Sequence, residues 1–127
     1  MIVAVGTDHA TIARFAGLWQ RSQGRILARV CTDREGAYCE QQARPFAALA
    51  ARWCAKEAVA KCLGTGFSLG ITPLSIEVVR EASGALRVVL HGAARARAKA
   101  LGITRVHLSI SHNEDTAFAV AIAEGRG

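Results

Sequence analysis

In the run Trp53-Cys54-Ala55-Lys56-Glu57-Ala58-Val59-Ala60-Lys61, a carboxylate and an ammonium stand one helical turn apart within an otherwise core-like helix. On a 3.6-residue wheel, Phe46, Leu49, Ala50, Trp53, Glu57, Ala60 and Lys61 share one face, and Arg52 and Lys56 lie toward a different flank. Glu57 is therefore expected to point where apolar residues point. A carboxylate there must be paired, protonated or bound to a metal, because isolated buried charge costs on the order of several kcal/mol. The plainer alternative is a Glu57–Lys61 (i, i+4) ion pair on a half-exposed helix.

Asp8 follows a short apolar run and Gly6, where the missing side chain lets backbone or ligand approach closely. Alone it reads equally well as a helix cap. Together Asp8 and Glu57 supply two hard oxygen ligands, a set that suits Mg²⁺ completing its octahedron with water and phosphate oxygens. Adding Lys61 makes this a phosphate-handling group. Gly64-Thr65-Gly66 can bring backbone N–H groups close to a phosphate, although a helix C-cap accounts for Gly64 as well, and neither the Rossmann nor the P-loop spacing is present. His112 follows Ser109-Ile110-Ser111, a hydroxyl-rich strand end able to hold a phosphate or adenosine group, or a structural turn. Arg14, Arg21 and Arg25 would line one face if the first helix ran that far, either as a solvated stripe or as a docking surface for an acidic protein.

The elements that must position these residues follow from periodicity. Residues 2 to 5 read as a short buried strand ending at Gly6-Thr7-Asp8, and the spacing of Ile12, Phe15, Ala16 and Trp19 predicts a helix over about 10–22. Thr32-Asp33-Arg34-Glu35 has capping-box spacing and starts a second helix. Pro45 and Gly64 bracket the long central helix. Residues 76–80 and 86–90 flank a turn as a hairpin, 93–101 form a helix ended by Gly102, and the alternation around 106–110 and 118–122 predicts two strands joined at 112–115. The order implies an α+β domain spanning residues 1–127, with an antiparallel sheet packed around the long central helix.

Composition narrows the class. A chain of 127 residues with 51% hydrophobic and 20% charged residues is expected to fold as one globular domain with a real core. Its longest strongly apolar stretch, 117–123, is too short to span a bilayer, and the N-terminus has no basic signal region, so a cytoplasmic location without membrane association is expected. Cys31, Cys39, Cys54 and Cys62 lack zinc spacing and read as reduced core thiols. The net charge of +6 favours an anionic partner without naming it.

With Gly6-Thr7-Asp8, the unbroken aromatic-Cys-x-Lys-Glu-Ala-x-x-Lys segment from Trp53 to Lys61, Gly64-Thr65-Gly66 and Ser109-Ile110-Ser111-His112 in order, the chain resembles the holo-(acyl-carrier-protein) synthases of the 4′-phosphopantetheinyl transferase superfamily over nearly its whole length. The resemblance implies Mg²⁺-dependent transfer of 4′-phosphopantetheine from coenzyme A to a serine of apo acyl carrier protein, in support of fatty acid or polyketide biosynthesis. It implies that Asp8 and Glu57 hold the metal, that Glu57 takes the serine proton directly or through water, and that Lys61 stabilises the pyrophosphate. By the same resemblance Arg44, Arg52 and His112 meet the 3′-phosphate of coenzyme A, Gly64, Thr65 and Gly66 approach pantetheine and phosphates, and Ser111 is a further contact. Arg14, Arg21 and, more loosely, Arg25 match the basic helix that grips the carrier. A homotrimer with sites between subunits is likewise implied. Thr7 and His9 depart from the family's aliphatic or apolar pattern.

Two rival classes make different demands. A nucleic-acid module needs aromatics on strand faces or a basic recognition helix, but Trp19, Trp53 and Tyr38 fall on predicted helices, so no nucleic-acid partner is expected. The segment 21–26 superficially matches an N-acetyltransferase pyrophosphate loop but lacks the terminal small residue.

Overall fold

A computed structural model describes residues 1–126. The elements run β1 (Ile2–Thr11), α1 (Ile12–Ser22), α2 (Ile26–Val30), α3 (Asp33–Glu40), α4 (Pro45–Cys62), a 3₁₀ turn (Pro73–Ser75), β2 (Ile76–Arg80), β3 (Leu86–Leu90), α5 (Gly92–Ala100), β4 (Ile103–His112) and β5 (Thr116–Gly125). The fold is α+β, with α4 laid across an antiparallel sheet of order β1-β5-β4, while β2 and β3 form a separate hairpin instead of joining that sheet. Among the described residues no helix is long and apolar enough to cross a membrane.

α4 begins with Pro45 in its first turn and is followed by Gly64 at φ +74, the left-handed conformation that glycine adopts without strain. What lets this helix lie close to the sheet is small side chains. Ala117, Ala119, Ala121 and Ala123 alternate along β5 and all are buried, and a Cβ at Gly6 of β1 would overlap the Ala58 carbonyl oxygen of α4. Cys54 and Cys62 fill the remaining space, their thiols directed at the Ala117 and Ala121 carbonyls at 3.6 and 3.4 Å. All four cysteines are free and buried. The large residues of β5 therefore point away from α4, leaving Phe118 43% exposed.

Three expectations need correction. β1 continues through Asp8 to Thr11, so Asp8 stands mid-strand opposite Ala119 and caps nothing. α1 stops at Ser22 because Gln23 and Gly24 turn left-handed, and a separate α2 follows, which removes Arg25 from the face of Arg14 and Arg21. The charge buried deepest on α4 is Lys56, not Glu57. Lys56 is fully buried; its Nζ donates to Glu35 Oε1 and to the carbonyls of Pro73 and Ile76, each at 2.7 Å. Glu35 closes the capping box of α3 by accepting from Thr32 N at 3.0 Å, and also accepts from Val78 N at 2.9 Å, so this carboxylate joins α3, α4 and β2. Full pairing is what makes such burial tolerable.

Candidate active site

Alternation along β1 turns Gly6, Asp8 and Ala10 toward α4, and α4 returns Glu57 and Lys61 to the same place. Lys61 Nζ donates to the Thr7 carbonyl at 2.8 Å and stands 3.5 Å from Asp8 Oδ1. The (i, i+4) alternative is thereby corrected: the ion pair of Lys61 runs across to β1, because the strand carbonyl and the Asp8 carboxylate hold the ammonium there. Glu57 is half-buried and forms no ion pair among the described residues. Burial, then the Asp8 carboxylate, pushes its carboxyl above the ordinary carboxylate range, against the opposing pull of Lys61 and Arg14. Beneath them burial, then Asp8 and Glu57, pushes the Cys54 thiol up to about 12. Among the described residues no group of three or more His, Cys, Asp or Glu side chains converges on one point. A pair of carboxylates that disfavour each other's charge does fit Mg²⁺, which needs only one or two protein carboxylates.

Arg14, exposed on α1, lies over the rings of Phe15 and Trp53 at 5.2 and 5.8 Å, which places the basic helix beside Glu57. Arg21 is exposed on the same helix. Phe67 packs on Trp53 with ring centroids 5.3 Å apart and ties the loop after α4 to this face. The backbone donors of that loop are already used: Gly64 N reaches Lys61 O at 3.0 Å, and Thr65 N and Gly66 N both reach Ala60 O, at 3.4 and 3.3 Å. The expectation that these amides face a phosphate is therefore corrected, since they satisfy the carbonyls left open at the end of α4.

A second cluster gathers around a cavity of about 580 Å³ between the first half of α4, the hairpin and β4. Arg44, Arg52 and His112 all line it, although they are distant in sequence. Arg52 is only 2% exposed; its guanidinium lies 4.6 Å over the Tyr38 ring, and its Nε is 3.7 Å from Glu35. That Nε is the one buried side-chain polar atom without a hydrogen-bond partner among the described residues. Arg44 is turned by Phe46, 5.3 Å beneath it, and reaches the Glu114 carbonyl at 3.5 Å. Ser111 does not join His112. In register it stands opposite Phe118, on the outer face of the sheet, because neighbouring strand residues face opposite ways. Tyr38 and Arg80, which also line the cavity, carried no local signal in the sequence, since both reach it only through tertiary packing.

The 4′-phosphopantetheinyl transferase superfamily model matches residues 4–123. The chain is similar to the holo-[acyl-carrier-protein] synthase of Nitratidesulfovibrio vulgaris, 48% identical over 98% of this chain and 99% of the relative. Among solved structures it resembles the holo-[acyl-carrier-protein] synthase of Neisseria meningitidis (TM-score 0.87, 34% identity, 98% and 99% of the two chains). It also resembles that of Bacillus anthracis in complex with CoA (3′,5′-ADP) (TM-score 0.81, 27% identity, 99% of each chain). Family model, relatives and fold agree, and the chain belongs to the holo-(acyl-carrier-protein) synthase family of the 4′-phosphopantetheinyl transferase superfamily.

Proposed function

We infer that Asp8, Glu57 and Lys61 carry out in this chain the reaction of its family, the transfer of 4′-phosphopantetheine from coenzyme A to a serine of apo acyl carrier protein. The serine oxygen bonds to the phosphorus that bears pantetheine, and the bond from that phosphorus to the bridging pyrophosphate oxygen breaks. Adenosine 3′,5′-bisphosphate leaves with that oxygen. Glu57 takes the serine proton; its raised carboxyl makes it a better base than an ordinary exposed carboxylate. Asp8 and Glu57 would hold Mg²⁺, which when bound neutralises pyrophosphate charge. Lys61, kept in place by the Thr7 carbonyl, faces the same charge. The observation that carries this reading is the meeting of two carboxylates and one strapped ammonium across β1 and α4.

Arg44, Arg52 and His112 are assigned to the 3′-phosphate of coenzyme A, supported by a buried arginine whose Nε has no acceptor among the described residues. Arg14 and Arg21 are assigned to the acidic carrier, since neither has an acidic partner among the described residues and Arg14 adjoins Glu57. Arg52 and Glu57 are five residues apart, roughly 140° around α4 at about 100° per residue, so the two clusters open on different sides of one chain. A homotrimer, in which the anion cavity of one subunit meets the carboxylates of its neighbour, removes that separation. The outer sheet face fits such an interface: Val5 is 59% exposed there, beside Phe118, Val120 and Ile122.

The test is the intact mass of apo acyl carrier protein after incubation with the protein, coenzyme A and Mg²⁺, beside an EDTA control. One added phosphopantetheine that depends on metal, lost in Glu57→Gln with unchanged circular dichroism, is the expected result. A fully active Glu57→Gln variant would remove Glu57 from its role.

A further inference from the structure

The cavity beside Arg52 contains an arrangement that the assigned residues do not explain. Tyr38, near the end of α3, shares its ring between two guanidinium groups: the Cζ of Arg52 is 4.6 Å from the ring centroid and that of Arg80 is 5.4 Å. Arg80 ends β2 and braces the hairpin by donating from Nη1 to the Gly84 carbonyl at 3.2 Å. It has no acidic partner among the described residues. Arg44, Arg52, Arg80 and His112 all line the cavity, and among the described residues no carboxylate does.

Gathering like charges around one ring is unfavourable in the free protein, and the aromatic face offsets only part of the repulsion. The arrangement becomes favourable when an anion enters. Arg52 needs orienting as well, because it makes no hydrogen bond that would fix the plane of its guanidinium; the ring beneath it and Glu35 at 3.7 Å are what hold it.

We propose that Tyr38 and Arg80 complete the nucleotide pocket: Tyr38 is a positioning residue that holds the Arg52 guanidinium, and Arg80 is a third arginine for the same phosphate, carried in by the hairpin. This rests on the reading that the cavity takes the 3′-phosphate of coenzyme A. The consequence is selectivity for the phosphorylated cosubstrate over 3′-dephospho-coenzyme A, which differs by that group alone.

The experiment measures kcat and KM with coenzyme A and with 3′-dephospho-coenzyme A for the wild type, Arg80→Ala, Tyr38→Leu, Tyr38→Phe and Arg52→Gln. Arg80→Ala and Tyr38→Leu should each raise KM for coenzyme A about tenfold, the scale of one hydrogen bond to a charged group, with kcat and the dephospho cosubstrate unaffected. Tyr38→Phe keeps the ring and should behave as wild type. If Arg52→Gln abolishes the preference while Arg80→Ala and Tyr38→Leu keep it, the proposal is overturned and the phosphate reading stands. If the wild type shows no preference and Arg52→Gln changes nothing, the phosphate reading fails, and the proposal with it. Equal loss with both cosubstrates in Arg80→Ala and Tyr38→Leu reduces the two residues to structural roles and also overturns the proposal.

Discussion

Lys56→Met removes one charge from a site that water does not reach while keeping most of the side-chain volume. Three hydrogen bonds of 2.7 Å disappear, and the Pro73 and Ile76 carbonyls lose their ammonium donor. Glu35 keeps the amides of Thr32 and Val78, but its nearest remaining cation is Arg52 at 3.7 Å. Stripping one partner from a buried ion pair costs about 3–5 kcal/mol. With an unfolding entropy of about 2.1 cal/mol/K per residue, ~0.27 kcal/mol/K for a chain of 127 residues, the melting temperature should fall by roughly 11–19 °C. Differential scanning calorimetry of wild type and variant at one protein concentration measures this, the concentration being fixed because subunit association would itself move the transition. The double variant Glu35→Leu/Lys56→Met, which leaves no lone charge, should recover part of the loss. A Lys56→Met protein melting within about 2 °C of wild type would refute the reasoning, since it would mean that the network contributes little on balance.

Gly6→Ala should lower both melting temperature and turnover, because the new Cβ meets a backbone carbonyl of α4 that only a shift of the whole helix relieves; parallel thermal melts and carrier-modification rates check it. Turnover at subsaturating Mg²⁺ should rise with pH through a midpoint above that of an ordinary carboxylate. Glu57 must be ionised to act, and burial with Asp8 extends its protonated form to higher pH; a flat profile from pH 4 to 7 would contradict this. Arg14→Glu/Arg21→Glu should raise KM for the carrier by tenfold or more, on the order of two lost charge-assisted contacts, and leave KM for coenzyme A unchanged; surface plasmon resonance with immobilised carrier gives an independent reading.

Short-range pattern settled much of the chain. The proline-to-glycine bracket placed α4, the Thr32–Glu35 box placed the start of α3, and alternating strands around a turn placed the hairpin, each because the signal lies within a few residues of the element it defines. The spacing of Glu57 and Lys61 was equally local. Which side of α4 meets the sheet was not, because alanines and cysteines surround that helix and the wheel has no single apolar stripe to orient it. That choice belongs to the alanine face of β5 and to Gly6, more than fifty residues away on either side. It buries Lys56 against Glu35, turns Lys61 from Glu57 to Asp8, and uses the Gly64–Gly66 amides to finish the helix. Sequence alone determined which chemical groups the protein carries and the local elements that present them. Tertiary structure decided which groups meet, since only packing brings Asp8 beside Glu57, or Tyr38, Arg80 and His112 around Arg52.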